Sequence, residues 1–198
     1  MNYLAHAYLS FDHPDILAGN MISDFVKGSA RYSYTEGIQK GITLHRAIDE
    51  FTDGHAVTHE AKKIFRPYYR LYSGPIMDII YDHYLANDPH SFSSESLPLF
   101  TREVYASLEI AAAQLPNRFL HMLTYMKAED WLWNYRKQEA IQRTLKGLVR
   151  RATFISESDT AYQLFLDNYD QLNLLSQEFL PYVKNFAKAR YNELIENF

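Results

Sequence analysis

Apolar residues recur at helical spacing in the C-terminal part of the chain, and this pattern constrains the fold more than any other feature. The segment from residue 157 carries Tyr162, Phe165, Leu166, Tyr169, Leu172, Phe179 and Val183. Pro181 within it should kink or split the helix. The 198 residues include only seven Gly and seven Pro, which is few for a turn-rich β protein. We therefore predict an all-α fold, a single-domain helical bundle over residues 1–198.

Helix start and stop signals divide the rest of the chain. Pro14 suits the first turn of a helix that runs to about Val26. Ser33 with Glu36 has the form of a capping box, which opens a helix that Gly54 ends. Further helices are predicted at about 3 to 9, 57 to 71, 75 to 86, 97 to 114, 118 to 127 and 130 to 151.

Composition excludes some classes of protein. The chain has no Cys, so disulfides and thiolate metal sites are impossible. The amino terminus lacks a basic stretch followed by an apolar run, and no apolar run approaches the roughly 20 residues of a membrane helix. A net charge of −4 argues against nucleic acid as the main partner. We expect a soluble, cytoplasmic protein that binds neither membrane nor nucleic acid.

Acidic and imidazole side chains interrupt the predicted apolar helices. In GITLHRAIDEFTD, residues 41 to 53, His45, Asp49 and Asp53 lie four apart on one helix face. Other predicted helices carry similar interruptions: Asn20 and Asp24, then Asp78, Asp82 and His83, and His6 near the amino terminus. Each interruption alone is better explained as a hydrogen-bonded core residue.

Together the interruptions favour one shared site. Burying a charge costs free energy unless the charge is paired or holds a metal. Clustered carboxylates repel one another unless a divalent cation neutralises them. Oxygen and imidazole ligands without sulfur suit Mn²⁺, Mg²⁺ or Fe²⁺, with Zn²⁺ a further option.

Two groups of basic residues recur at helical spacing. Lys62, Arg66 and Arg70 form one stripe, and the other consists of Arg143, Lys146, Arg150 and the adjacent Arg151. A solvated helix face is the default explanation for such a run. The functional explanation is an anion-docking surface on an otherwise acidic protein.

The motifs resemble those of a known family. In order and spacing, MNYLAHAYLS, GNMISDFVKG, GITLHRAIDEFTD and IYDHYLA resemble the acyl carrier protein phosphodiesterases, also called ACP hydrolases. The later segment WLWNYRKQEAIQRTLKGLVRR resembles the corresponding part of that family. The similarity covers most of the chain and is weakest in the Ser-rich connection and the last helix.

The resemblance implies a fold, a cofactor and an activity. These enzymes are similar to the all-helical HD phosphohydrolases, use a divalent metal, typically Mn²⁺, and remove the 4′-phosphopantetheine arm from holo acyl carrier protein. By resemblance, the leading metal candidates are Asp24, His45 and Asp82, and the next are Asp49, His6 and His83. HD enzymes are named for a consecutive His-Asp pair, which this chain has in reversed order.

A mechanism follows from these assignments. Asp24, His45, Asp82 and Asp49 are expected to hold the metal, with Asp49 also counted among the catalytic groups. Either His83 or His6 is expected to move a proton to the leaving serine oxygen. Lys27 and Arg46 are expected to neutralise phosphate charge. The stripe of Lys62, Arg66 and Arg70 is expected to dock the carrier protein.

Two other hypotheses stay open at the level of sequence. In the first, the same chemistry acts on a nucleotide or another small phosphate ester, without a carrier protein. In the second, the chain is a non-catalytic helical module whose polar cluster only fixes the packing of three helices.

Overall fold

The computed structural model describes residues 1–196, and these contain helices but no strand. The prediction of an all-α fold is confirmed. The α-helices of the described residues are α1 (Tyr3–Tyr8), α2 (Pro14–Ile22), α3 (Glu36–Gly54), α4 (Ala56–Tyr69), α5 (Ser73–Asn87), α6 (Ser96–Ile110), α7 (Asn117–Ala128), α8 (Trp131–Asn134), α9 (Gln138–Arg151), α10 (Asp159–Asp167) and α11 (Tyr169–Glu196). Short 3₁₀ helices follow α2, α4 and α6, and one more precedes α3.

The core lies where the amino-terminal helices meet the long last helix. Helix α2 packs along α3, α1 packs against α2 and α5, and α11 packs against α3, α4 and α5. Large side chains fill the interior, among them Phe65, Tyr81 and Phe179, each essentially inaccessible to solvent. Burial of such side chains is the main favourable term in folding. This packing places α1, α2 and α3 side by side around one polar cluster.

Three local predictions were wrong. The long C-terminal helix is interrupted at Asn168, whose side-chain amide donates to the Leu164 carbonyl, and it continues through Pro181. Packing of that helix around Phe179 outweighs the hydrogen bond that proline removes. The Ser33 hydroxyl donates to the Ala30 carbonyl and does not cap α3.

The third difference concerns the segment predicted as one helix over 130 to 151. A short helix, Trp131–Asn134, is separated by a turn from the longer helix that starts at Gln138. Asp130 at the start of this segment has a positive φ of 44°, a left-handed conformation that breaks continuity with α7. Among residues 1–196, no helix combines the length and apolar character needed to cross a membrane.

Candidate metal centre

Two glycines bring the backbones of α2 and α3 into direct contact. A Cβ atom on Gly19 would lie 2.1 Å from the Ile38 carbonyl oxygen, and one on Gly41 would lie 2.3 Å from the Ile16 carbonyl oxygen. No side chain fits at either position. Because the two helices touch through their main chains, Asn20 of α2 is held against the face of α3 that carries His45.

Asn20 fixes the orientation of two imidazole rings. His6 Nδ1 lies 2.8 Å from Asn20 Oδ1, and His45 Nδ1 lies 2.7 Å from the Asn20 backbone oxygen. The Asn20 amide nitrogen donates to the His6 carbonyl and to the Ser10 hydroxyl, which fixes which end of the amide is the oxygen. Both acceptors are oxygens, so each Nδ1 carries a proton, and each neutral ring presents the lone pair of Nε2.

The two Nε2 atoms converge on one carboxylate. The rings of His6 and His45 are stacked, with centroids 3.8 Å apart and planes within 14°. Asp49 Oδ1 lies 3.2 Å from His6 Nε2, and Asp49 Oδ2 lies 3.1 Å from His45 Nε2. Both Nε2 atoms are buried, and neither has a hydrogen bond of acceptable geometry.

This donor set fits a divalent cation. One ligand atom from each of His6, His45 and Asp49 lies within 4.8 Å of the other two. Two buried lone pairs without hydrogen bonds, oriented by second hydrogen bonds through Nδ1, are typical of metal-binding histidines. Among the described residues, this is the group of His, Asp and Glu that meets these requirements.

Asp24 lies at the solvent side of the same cluster. It follows α2 in a 3₁₀ turn, and its Oδ1 is 3.5 Å from His45 Nε2. Its side chain is 71 % exposed, in contrast to the buried imidazoles. The neighbouring His45 imidazole lowers the pKa of the Asp24 carboxyl, so this group is a carboxylate at neutral pH. The structure thus brings together four of the predicted residues: His6, Asp24, His45 and Asp49.

The electrostatics of the metal-free cluster separate the two histidines. Burial and the neighbouring His45 lower the pKa of His6 to about 4, although Asp49 opposes this. Burial also lowers the pKa of His45, but the carboxylates of Asp24 and Asp49 outweigh it and raise the pKa to about 9. One proton is therefore held on His45 near neutral pH, and a metal must displace it.

The amino-terminal ammonium group also contacts the cluster. The Met1 nitrogen lies 3.2 Å from Asp49 Oδ1 and 2.9 Å from Asp78 Oδ1. Asp78 thereby borders the cluster through the ammonium group. Asp78 was singled out from the sequence, but its link to Asp49 through the Met1 ammonium group was not anticipated, because neither Met1 nor Asp78 is near Asp49 along the chain.

Asp82 lies outside the cluster. Its carboxylate accepts hydrogen bonds from the backbone N–H groups of Asn2, Leu4 and Ala5, at 3.3, 2.7 and 3.1 Å. Helix α1 begins at Tyr3, so these are the unpaired donors at its first turn. Burial raises the pKa of Asp82 to about 7, while the three N–H groups lower it. The structure assigns this carboxylate to capping a helix and not to the predicted ligand set.

His83 is also directed away from the cluster. Its Nδ1 lies 2.7 Å from the Tyr135 carbonyl oxygen, and its Nε2 lies 2.7 Å from the Tyr169 hydroxyl. Because both ring nitrogens are occupied by protein partners, the structure does not place His83 where it can deliver a proton at the cluster. Burial lowers its pKa.

The chain is similar to a known protein family over most of its length. The family model described as "Acyl carrier protein phosphodiesterase" matches residues 1–183. The chain belongs to this family. Curated relatives named acyl carrier protein phosphodiesterase include one from Enterobacter sp. (strain 638), 33 % identical over 96 % of this chain and 99 % of its own length.

Two other relatives of the same name cover the chain to a similar extent. The protein from Photorhabdus laumondii is 30 % identical over 96 % of each chain. The protein from Escherichia coli O139:H28 is 32 % identical over 98 % of this chain and all of its own. No solved structure matches the chain. The likeness to HD phosphohydrolases therefore stays a prediction.

The first basic stripe borders the cluster through a cavity, which we call the α4 cavity. The cavity has a volume of about 430 Å³ and is lined by Met1, Asp49, Asp53, His59, Lys62, Arg66, Arg70, Leu71, Ser73, Gly74, Pro75 and Asp78. Lys62 is paired with Asp53 at 2.6 Å. All three predicted docking residues thus share a cavity with Asp49.

The two predicted phosphate-binding residues lie near Asp24. Lys27 is exposed, three residues beyond Asp24. Arg46 is exposed next to His45 in the chain and donates to the Val26 carbonyl at 3.1 Å, which ties α3 to the turn that carries Asp24. Both cations are exposed and lie close to Asp24 or His45 along the chain.

Asn20 and the glycine pair are the functional residues that were not assigned a role from sequence. Asn20 lies in a helix whose last seven residues are all buried, and Gly19 precedes it. A buried amide beside a glycine, on a helix otherwise apolar, was the available signal. The partner of that amide, His6, comes from a different helix and could not be identified from local spacing.

Proposed function

We propose that the protein is a metal-dependent hydrolase that cuts the phosphodiester between 4′-phosphopantetheine and the serine of holo acyl carrier protein. The proposal is supported by the converging, unpartnered Nε2 atoms of His6 and His45 beside the Asp49 carboxylate. It is further supported by family membership, because the relatives bear the name of this activity. The ion is proposed to be Mn²⁺, with Mg²⁺ and Fe²⁺ as alternatives, since the donors are imidazole and carboxylate.

The proposed ligands are His6, His45 and Asp49, with Asp24 as a further ligand at the solvent side. A bound divalent cation would supply Lewis acidity toward a phosphoryl oxygen and a water molecule. Asn20 keeps the two imidazoles in the tautomer that binds a cation, and Asp24 is the exposed member of the cluster. Asp82 and His83 have no part in this proposal, because their polar atoms are used elsewhere.

The reaction places defined demands on the remaining residues. Water forms a new bond to phosphorus, the bond from phosphorus to the serine oxygen breaks, and a proton goes to that oxygen. The phosphate stays with the arm and gains negative charge as a monoester. Lys27 and Arg46, which are exposed and close to Asp24 or His45 along the chain, are proposed to offset this charge.

The α4 cavity is the proposed contact for the carrier protein. Acyl carrier proteins are acidic, and Arg66 and Arg70 are exposed cations in a cavity that reaches Asp49. Opposite charges at a docking surface mainly raise the association rate and fix orientation. A carrier held there has its modified serine next to the cluster.

The direct test is intact-mass spectrometry of holo acyl carrier protein incubated with the purified protein and Mn²⁺. The expected result is loss of the mass of the phosphopantetheine arm, which EDTA and His45→Gln both prevent. His90→Gln is the matched control, because His90 is exposed and lies outside the cluster. Persistence of the holo mass, with metal bound to the protein, would refute the substrate and leave the metal site standing.

The docking surface has its own test. Arg66→Glu combined with Arg70→Glu is expected to raise the KM for holo carrier protein with little change in kcat. Lys63→Glu is the control, because Lys63 is an exposed cation on the same helix but does not line the α4 cavity. Equal KM values for the double variant and the wild type would exclude this surface as the docking site.

A further inference from the structure

A second cavity lies on the other side of the amino-terminal helix. We call it the α9 cavity. Its volume is about 570 Å³, and α9 forms one wall, with α7, α8 and the start of α1 opposite. It is lined by Asn2, Tyr3, Tyr125, Glu129, Trp131, Asn134, Tyr135, Ala140, Arg143, Thr144, Lys146, Gly147, Arg150 and Arg151. No role for this cavity follows from the metal cluster or from the proposed docking of the carrier.

The α9 cavity is strongly positive. All members of the second basic group of the sequence line the cavity: Arg143, Lys146, Arg150 and Arg151. Glu129 is the acidic residue of the lining. None of these four cations forms an ion pair with another residue in the range 1–196. A solvated helix face does not require a cavity with aromatic walls, so the arrangement favours an anionic ligand.

Gly147 keeps the cavity open. It lies inside α9, where glycine costs stability relative to alanine. A Cβ atom at this position would meet nothing within 4 Å, so no protein contact excludes a side chain. Gly19 and Gly41 are required by packing, whereas Gly147 is not, and a side chain at this position would extend into the space that the cavity occupies.

Besides its cations, the lining of the α9 cavity includes Asn134 and several aromatic side chains. The Asn134 side chain donates to the Glu129 carbonyl, but its Oδ1 is buried and has no hydrogen-bond partner. An unpaired acceptor of this kind is costly unless a donor reaches it. Trp131, Tyr3 and Tyr125 supply apolar surface along the same cavity.

The α9 cavity and the metal cluster meet at Tyr3. Tyr3 lines the cavity and lies three residues before His6, on the same side of α1. Its hydroxyl is close enough to Asp24 and to Arg151 for both charges to act on it. The α4 cavity thus reaches the cluster at Asp49, and the α9 cavity comes near it at Tyr3, on the helix that carries His6.

We propose that the α9 cavity holds the phosphopantetheine part of the substrate, with Arg151 facing the phosphate and Trp131, Asn134 and Gly147 along the arm. This inference rests on the proposed function. Hydrolysis leaves the phosphate on the arm, so this fragment is the anionic product, and its remainder is an extended chain with amide groups. The carrier protein then docks at the α4 cavity, which reaches the cluster at Asp49.

The test measures binding of free 4′-phosphopantetheine by isothermal titration calorimetry, with Mn²⁺ and separately with EDTA. Gly147→Leu fills the open space, and Arg151→Gln removes the cation nearest Tyr3; each is expected to weaken binding by about tenfold or more. Gly147→Ala adds only a methyl group and controls for the change in helix stability. Arg102→Gln, an exposed cation on α6 outside the cavity, controls for loss of charge.

The outcomes separate this inference from the proposed function. If the wild type binds phosphopantetheine, Gly147→Leu weakens that binding, and holo carrier protein is not processed, the cavity assignment stands and the proposed reaction falls. Should holo carrier protein be processed while Gly147→Leu binds phosphopantetheine as well as the wild type, the cavity assignment is overturned. Absence of phosphopantetheine binding by the wild type overturns it as well. A rise in KM for carrier protein in Arg151→Gln, with phosphopantetheine binding unchanged, would assign the cations to carrier docking instead.

Discussion

Two regions of this protein each combine a buried histidine with an aspartate, and they differ in how the polar atoms are partnered. Around Asp82 and His83, three backbone N–H groups occupy the carboxylate, and a carbonyl and a hydroxyl occupy the ring nitrogens. Around His45 and Asp49, hydrogen bonds fix only the Nδ1 side of each ring, and the Nε2 atoms have none. Buried polar atoms whose hydrogen bonds are all made within the protein indicate a structural role. Converging ligand atoms without hydrogen bonds indicate a site for a bound ligand.

The largest expected effect is on catalysis at the region around His45 and Asp49, where the Nε2 atoms have no hydrogen bonds. His45→Gln removes an Nε2 atom from the proposed ligand set, and kcat/KM for holo carrier protein should fall by about 10³-fold or more, which is about 4 kcal/mol. Metal content measured by plasma mass spectrometry should fall with it, and the far-UV circular dichroism should not change. Full activity of this variant would show that the two regions do not differ in function.

The region around Asp82 and His83, whose polar atoms have hydrogen-bond partners within the protein, is expected to control stability instead. Asp82→Ala leaves three N–H groups of α1 without an acceptor inside the protein, which should lower the free energy of unfolding by about 3 to 4 kcal/mol. Urea unfolding measures this loss. The metal content of the fraction that remains folded should equal that of the wild type. A stable variant that has lost its metal would instead return Asp82 to the ligand set predicted from sequence.

The metal-free cluster should also make stability depend on pH. The folded pKa of His45 is about 9, above the ordinary value of 6.5, so the folded state binds more protons in this window and stability falls as the pH rises from about 6.5 to 9. The loss corresponds to about 3 kcal/mol. For His6 the folded pKa is about 4, so stability rises with pH from about 4 to 6.5.

Urea unfolding in EDTA across this range measures the profile for the wild type and for His45→Gln. The decrease between about pH 6.5 and 9 should be smaller in His45→Gln by the contribution of His45. A profile with the same alkaline slope in both proteins would show that His45 does not hold the proton. His83 has no carboxylate neighbour among its hydrogen-bond partners, so it should contribute little on that side.

The smallest expected effect is at His83. His83→Gln weakens the contacts with the Tyr135 carbonyl and the Tyr169 hydroxyl, at a cost of about 1 to 2 kcal/mol in the free energy of unfolding. Thermal unfolding measures the change. Metal content should not change, and kcat should fall far less than in His45→Gln. A loss of kcat as large as that of His45→Gln would instead support the proton-transfer role inferred from resemblance.

The helical content of the fold was accessible from sequence, and so was part of the site. His45 and Asp49 are four residues apart on one helix, so their shared face followed from helical geometry alone. The role of Asp82 was harder to predict, because its hydrogen-bond partners at Leu4 and Ala5 are more than 70 residues away along the chain. A buried acid that caps a distant helix has the same local pattern as one that binds a metal.

The helix ends show the same division between local and distant causes. Gly54 was correctly placed at the end of α3, since glycine acts on its own backbone. Pro181 was expected to kink or split the last helix, yet α11 is not split there, because it is packed against α3, α4 and α5. Asn168 interrupts the helix through a hydrogen bond to the residue four positions earlier. Propensity predicts such sites only where tertiary packing does not oppose it.

The contact between Gly19 and Gly41 has a consequence for tolerance to mutation. Because the backbones of the two helices are in direct contact there, the separation of α2 and α3 does not depend on the size of any side chain between them. Substitutions that swell or shrink the apolar interior elsewhere can change stability without altering the distance between Asn20 and His45. Divergent sequences can therefore exchange much of their interior while the spacing of the donor atoms stays the same.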